Sequence, residues 1–215
     1  MILEALYETL YLTFIPLIIS CFLGLLIGTI IFITGSDIIV KSDKKYLKVI
    51  SKVADALVNI LRSIPYLILI IWLLPLTSFL TGKVIGTEAA IPALVFSATP
   101  FFARMVIIAF GEVDKGVIFA SKAMGATIKD IIIHVLIPES LPALISSITV
   151  TAINLISYSA MAGAIGAGGL GYEAYQYGLV RRDTGLMFIS TAMIVIIVFA
   201  IQILGDHLAH KVDRR

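Results

Sequence analysis

Four stretches of this chain contain no Asp, Glu, Lys or Arg: residues 9–36, 63–82, 140–172 and 184–205. A helix crossing the hydrocarbon core of a bilayer needs about 20 mostly apolar residues, so each run holds one span. The run 140–172 is too short for two spans and a turn. A fifth apolar stretch, Ala89 to Phe110, is interrupted only by Arg104, which can snorkel toward the interface. The expectation is an all-α integral membrane protein with five transmembrane helices near 10–34, 64–80, 89–110, 141–162 and 186–204, in one domain covering 9–204. A β-barrel is excluded, because barrel strands alternate apolar and polar residues, whereas Leu67 to Leu74 is apolar throughout. The first run is a poor cleavable signal peptide, since Glu4 and Glu8 precede it and no Lys or Arg does.

Composition closes other routes. The chain is 60% hydrophobic and 14% charged, against roughly 45–50% and 25% in soluble domains. A net charge of +2 argues against nucleic acid as a partner. The lone Cys21 excludes an intrachain disulfide and any cysteine-cluster metal site. The basic residues are unevenly spread. The first loop holds Lys41, Lys44, Lys45, Lys48, Lys52 and Arg62; the third holds Arg104, Lys115, Lys122 and Lys129; the tail holds Lys211, Arg214 and Arg215. These are 13 of 16, which predicts an N-terminus outside and a C-terminus in the cytoplasm.

Some segments between the spans are patterned. Over residues 41–60, Tyr46, Val49, Ile50, Val53, Leu57 and Ile60 recur at helical spacing, with lysines and Asp55 opposite. This reads as an interfacial or inward-extended helix leading into span two. The cytoplasmic loop 111–140 carries a small-residue cluster, Ala120, Ser121, Ala123, Gly125 and Ala126, on a short helix. Small residues allow close approach, either to another protein's groove or to the chain's own spans. The glycine-rich run Gly163 to Gly171 lacks the preceding strand of a nucleotide-binding loop. It is expected to break span four and let backbone line a cavity.

Catalytic and coupling groups are sparse. No Gly-x-x-x-x-Gly-Lys-Ser/Thr sequence is present, so any ATP hydrolysis belongs to another chain. His134, His207 and His210 form no catalytic set, and His207 and His210 beside Asp206 read as a solvated face. Arg104 is the one charged residue within the five spans, with no buried carboxylate to answer it. That disfavours an ion-coupled carrier, which usually marks its path with intramembrane acids. Span four carries Ser146, Ser147, Thr149, Thr151, Asn154, Ser157, Tyr158 and Ser159. Asn154 and Tyr158 share a face. These groups either hydrogen-bond between helices or line a translocation pathway of Asn154, Tyr158, Ser159 and Met161. Gly24-x-x-x-Gly28 offers a close-packing surface, within the chain or across a dimer. Pro16, Pro65, Pro75, Pro92 and Pro100 lie in or beside the first three spans and suit bent helices.

The third loop resembles the coupling-loop signature of ABC importer permeases: Glu-Ala-Ala, three residues, Gly, nine residues, Ile-x-Leu-Pro. The matching residues are Phe119-Ala120-Ser121, Gly125 and Val135-Leu136-Ile137-Pro138, with Phe119 in place of the acid and Ser121 in place of the second Ala. Asn59 to Pro65, Pro100 to Met105, Ala123 to Ala126, Tyr158 to Gly171 and Tyr175 to Gly178 resemble the methionine-uptake branch of these permeases. The resemblance implies the type I importer permease fold in a bacterial plasma (inner) membrane. It implies that Ala120, Ser121, Lys122, Ala123, Met124, Gly125, Ala126 and Pro138 couple to a cytoplasmic ATPase present in two copies. It further implies a second copy of this chain, membrane lipid around it, and a methionine-binding lipoprotein or periplasmic protein outside. No cofactor is expected in the chain; ATP and magnesium would sit on the ATPase. Another small solute, or a self-sufficient carrier, is the competing expectation.

Overall fold

The computed structural model describes residues 1–36, 38–39 and 45–213, with the side chain of Lys45 left out. Asp37, Val40, Lys41 to Lys44, Arg214 and Arg215 lie outside it, so the first residues of the amphipathic stretch and part of the basic tally are outside the described structure. All regular structure among the described residues is helical. Four helices are long and apolar enough to cross a membrane, or five if one sharply bent pair counts as a span.

The first helix, α1 (Ile2–Gly35), runs unbroken for 34 residues, roughly 51 Å at 1.5 Å per residue. It packs on α5 (Thr87–Gly111) through Gly24 and Gly28. A methyl group at Gly28 would meet the Ala103 carbonyl at 2.6 Å and Val106 Cβ at 2.8 Å. The Gly-x-x-x-Gly pair is thus used within the chain, where it lets two backbones approach. Ala90, Ala93, Ala98 and Ala103 keep α5 slim, and it forms the buried centre of the bundle.

The amphipathic segment forms α2 (Lys45–Ser63), joined to α1 by the Ser51 hydroxyl donating to the Ile31 carbonyl at 2.9 Å. Its axis then turns by 103° into α3 (Tyr66–Trp72). Pro65 explains the stop, since it has no N–H and restrains the residue before it from helical geometry. The span expected over 64–80 does not form as one helix, in keeping with the bends expected at its prolines. The chain breaks again at Leu73 before α4 (Leu74–Thr81), where Pro75 supplies no amide for the turn before. Span two is therefore a bent, twice-interrupted path.

The expected loop 111–140 is also more ordered than a loop. It contains α6 (Lys115–Ala123) and α7 (Ile128–Ile131), a wide π turn over Ile132–Leu136, and the start of α8 (Ile137–Ala164). Residues 128–164 make one continuous helix, so span four begins 13 residues before the expected 141. The π turn precedes Pro138, which cannot donate to the His134 carbonyl. The ladder widens there, with the Ile137 N–H donating to the carbonyl of Ile132.

After α8 the glycine-rich run reverses the chain into α9 (Gly169–Glu173), continued as a π helix over Ala174–Val180. The last helix, α10 (Thr184–Val212), is the least buried of the four candidate spans. Two apolar clusters fill the bundle. One gathers Leu12, Tyr66, Leu94, Leu155 and Ala167 near α9. The other gathers Ile39, Phe110, Ile118, Ile131 and Leu136 under α6.

Candidate coupling surface and pathway face

The α6 segment is a knuckle built by its caps. Asp114 opens it, its carboxylate accepting the Gly116 N–H at 2.7 Å. Gly125 ends it at φ +87°, a left-handed conformation that favours glycine. The Gly125 N–H returns to the Lys122 carbonyl at 3.0 Å and the Ala126 N–H to that of Ser121 at 3.1 Å, the paired bonds of a Schellman motif. Thr127 and Asp130 then cap each other's amides to start α7.

This geometry sorts the expected coupling residues. Ala120, Ala123, Met124 and Gly125 are exposed, with Met124 at 82%. Ala126 is half-buried, and Pro138 lies exposed at the start of α8. Ser121 is buried, with its hydroxyl on the Val117 carbonyl. Lys122 is half-buried and donates to the carbonyls of Ile38 at 2.6 Å and Ile39 at 3.2 Å. Phe119 and Val117, absent from the sequence-based set, are exposed on the same helix and enlarge the apolar knob. The opposite face is held by Ile118, 3% exposed in the lower cluster.

The candidate pathway residues separate. At about 100° per residue, Asn154, Tyr158 and Met161 fall on one face of α8, and Ser159 points roughly 140° away from Asn154. Asn154 and Tyr158 are half-buried, and Met161 is exposed. Ser159 is buried and its hydroxyl donates to the Ile156 carbonyl at 2.8 Å. Tyr158 stacks on Tyr66 of α3, with ring centroids 4.8 Å apart. The other span-four hydroxyls do not bridge helices. Those of Ser146, Ser147, Thr149, Thr151 and Ser157 each donate to the carbonyl four residues back.

No buried carboxylate answers Arg104, but a partly exposed one outside the expected spans does. Asp55 of α2 meets it at 3.1 Å and also accepts from the Asn59 amide at 3.2 Å. Both partners of the ion pair are about one-third exposed, so the pair fixes α2 against α5 more than it adds stability.

At the opposite end of the bundle, α1 clamps the turn into α9. The Glu8 carboxylate accepts the Gly169 N–H at 2.7 Å and the Thr9 hydroxyl accepts the Leu170 N–H at 2.8 Å. These are orphan donors of a helix start. Met1, Glu4, Glu8, Ile85, Gly168 and Glu173 help to line a cavity of about 330 Å³ here. Among the described residues no group of three His, Cys, Asp or Glu is arranged to hold a metal.

Comparison with known proteins gives a consistent picture. Residues 38–215 match the family described as "Binding-protein-dependent transport system inner membrane component". The methionine import system permease protein MetP of Bacillus subtilis (strain 168) is 51% identical over 212 residues, covering 99% of this chain and 93% of that one. The probable D-methionine transport system permease protein MetI of Pasteurella multocida (strain Pm70) is 45% identical, covering 97% and 94%. A solved chain of the MetNI methionine ABC transporter in an inward-facing conformation superposes with a TM-score of 0.92 at 40% identity, covering 99% of this chain and 96% of its own.

Proposed function

Because the chain belongs to the family of binding-protein-dependent transport inner membrane components, we propose that it is the permease subunit of an ATP-driven methionine importer. The observation that carries the mechanism is the α6 knuckle: an exposed apolar knob of Phe119, Met124 and Gly125 on a helix whose other face is anchored in the core. Such a knob suits a groove on a separate ATPase. The chain's lack of a phosphate-binding loop agrees with ATP and magnesium being held by that partner.

In this reading the N-terminus and α9 face outside, while α2, α6 and the C-terminus face the cytoplasm, as the basic-residue bias supports. Two copies of the chain enclose the path, and each passes its α6 to one of two ATPase subunits. A methionine-binding protein delivers substrate at the α9 end. Ala120, Ala123, Met124, Gly125 and Ala126 make the docking contact, with Pro138 starting the helix that carries it onward. Asn154, Tyr158 and Met161 line the path, and buried Ser159 supports their helix from behind. ATP binding draws the α6 knuckles together and opens the outer side; hydrolysis lets the inner side open again. A substrate's thioether suits a face that bears Met161 and the Tyr158 ring.

The test is ATP-dependent uptake of labelled methionine in liposomes holding this chain, its ATPase and its binding protein. Uptake is expected only with all three, and excess unlabelled methionine should abolish it. Sustained flux through the permease alone would refute the reading; ATP-driven uptake of a different solute, with none of methionine, would overturn the substrate.

A further inference from the structure

The Lys122 ammonium is engaged within its own chain. It donates to the carbonyls of Ile38 and Ile39, at 2.6 and 3.2 Å, just beyond the end of α1. Ile39 is 3% exposed and lies in the same apolar cluster as Ile118 of α6 and Val113 ahead of it. The attachment therefore has an apolar plug and a charged clasp. Hydrogen bonds from a charged donor are roughly twice as strong as neutral ones. From this joint α1 runs past α5, touching it at Gly24 and Gly28, to the Glu8 and Thr9 clamp on α9.

We propose that Lys122 is a positioning residue, fastening the coupling helix to the end of α1 so that an ATPase pushing on α6 moves α1 with it. The proposal rests on the reading of α6 as the docking helix, and it differs from the sequence-based expectation that Lys122 itself contacts the ATPase. Without the clasp, α6 moves on its two short connections, and its displacement is lost before reaching the spans. Coupling of this kind is carried by packed elements biased from both ends.

The experiment uses the assembled permease–ATPase complex in liposomes, with methionine moved per ATP hydrolysed as the readout. Lys122→Met keeps the aliphatic stem and removes the donors. It should leave the ATPase copurifying and hydrolysing, yet lower methionine moved per ATP by about fivefold or more, the low end of typical coupling effects. Lys122→Arg, which retains charged donors, should recover most of the loss. Wild-type stoichiometry in Lys122→Met overturns the proposal. Loss of the copurifying ATPase also overturns it, in favour of a direct contact. A Met124→Cys variant is tested in parallel for cross-linking to the ATPase. Absence of that cross-link shows that the docking reading itself has failed, and the proposal falls with it. If Lys122→Met does not accumulate in the membrane, Lys122→Gln is read in the same way.

Discussion

Two glycines make opposite demands on their surroundings. Gly125 needs a left-handed backbone, but nothing lies within 4 Å of where a Cβ would stand. A side chain there is strained by roughly 1–2 kcal/mol yet points into open space. Gly125→Ala and Gly125→Arg therefore share the backbone strain and differ in what they present to a docking partner. The alanine variant should keep most ATP-driven uptake, and the arginine variant should lose it by about tenfold or more, with ATP hydrolysis continuing uncoupled. Equal uptake in both would argue against docking at this knuckle. Gly168 is crowded instead: at φ +83°, its added Cβ would stand 2.5 Å from Glu8 Oε2. Gly168→Ala should expel Glu8 from the Gly169 amide, leaving a helix-start donor unmatched at about 1–3 kcal/mol. Hydrogen exchange at Gly169 and Leu170 should accelerate, and the melting temperature of the purified permease should fall. The small-residue cluster makes position 125 noticeable in the sequence. Position 168 is noticeable only as one glycine among many, because the residue that crowds it is 161 positions from Gly169.

At the scale of elements, charge-free runs locate helices well, because a bilayer leaves buried backbone no other partner than its own helix. The spans expected at 10–34, 89–110 and 186–204 lie inside α1, α5 and α10. Apolarity alone says nothing of continuity. The turns at Pro65 and Leu73 leave span two as apolar as a straight helix would be, and the capping pair Thr127 and Asp130 starts span four inside a segment polar enough to read as loop. The Asp55–Arg104 pair joins residues 49 positions apart on different helices, so periodicity within either helix could not reveal it. Helical spacing does place Asn154, Tyr158 and Met161 together, and it separates Ser159 from them. In a Cys21→Ser background, single cysteines at Asn154, Tyr158 and Met161 should react with a water-soluble thiol reagent in at least one nucleotide state of the complex. A cysteine at Ser159 should stay protected in all of them. Protection at all four positions would make this face a packing surface.

Across the whole molecule, burial grades from centre to edge. In the most apolar stretch of α5, 56% of residues are buried, against 6% in α10. Phe188, Ile196, Phe199 and Ile203 are each more than half exposed on α10. A hydrophobic photolabel dissolved in the bilayer should therefore mark α10 heavily and α5 hardly at all; strong labelling of α5 would contradict the bundle order. The same architecture has a consequence for how the chain is made. The Glu8 clamp closes on an amide 161 residues later, which at 5–20 residues per second is roughly 8–32 seconds of synthesis. Through that interval the first span rests on α2, α5 and α8 as each emerges, while its carboxylate waits for Gly169. A chain released before that residue carries its earlier helices without α10, its clasp open and the Glu8 carboxylate without the Gly169 amide.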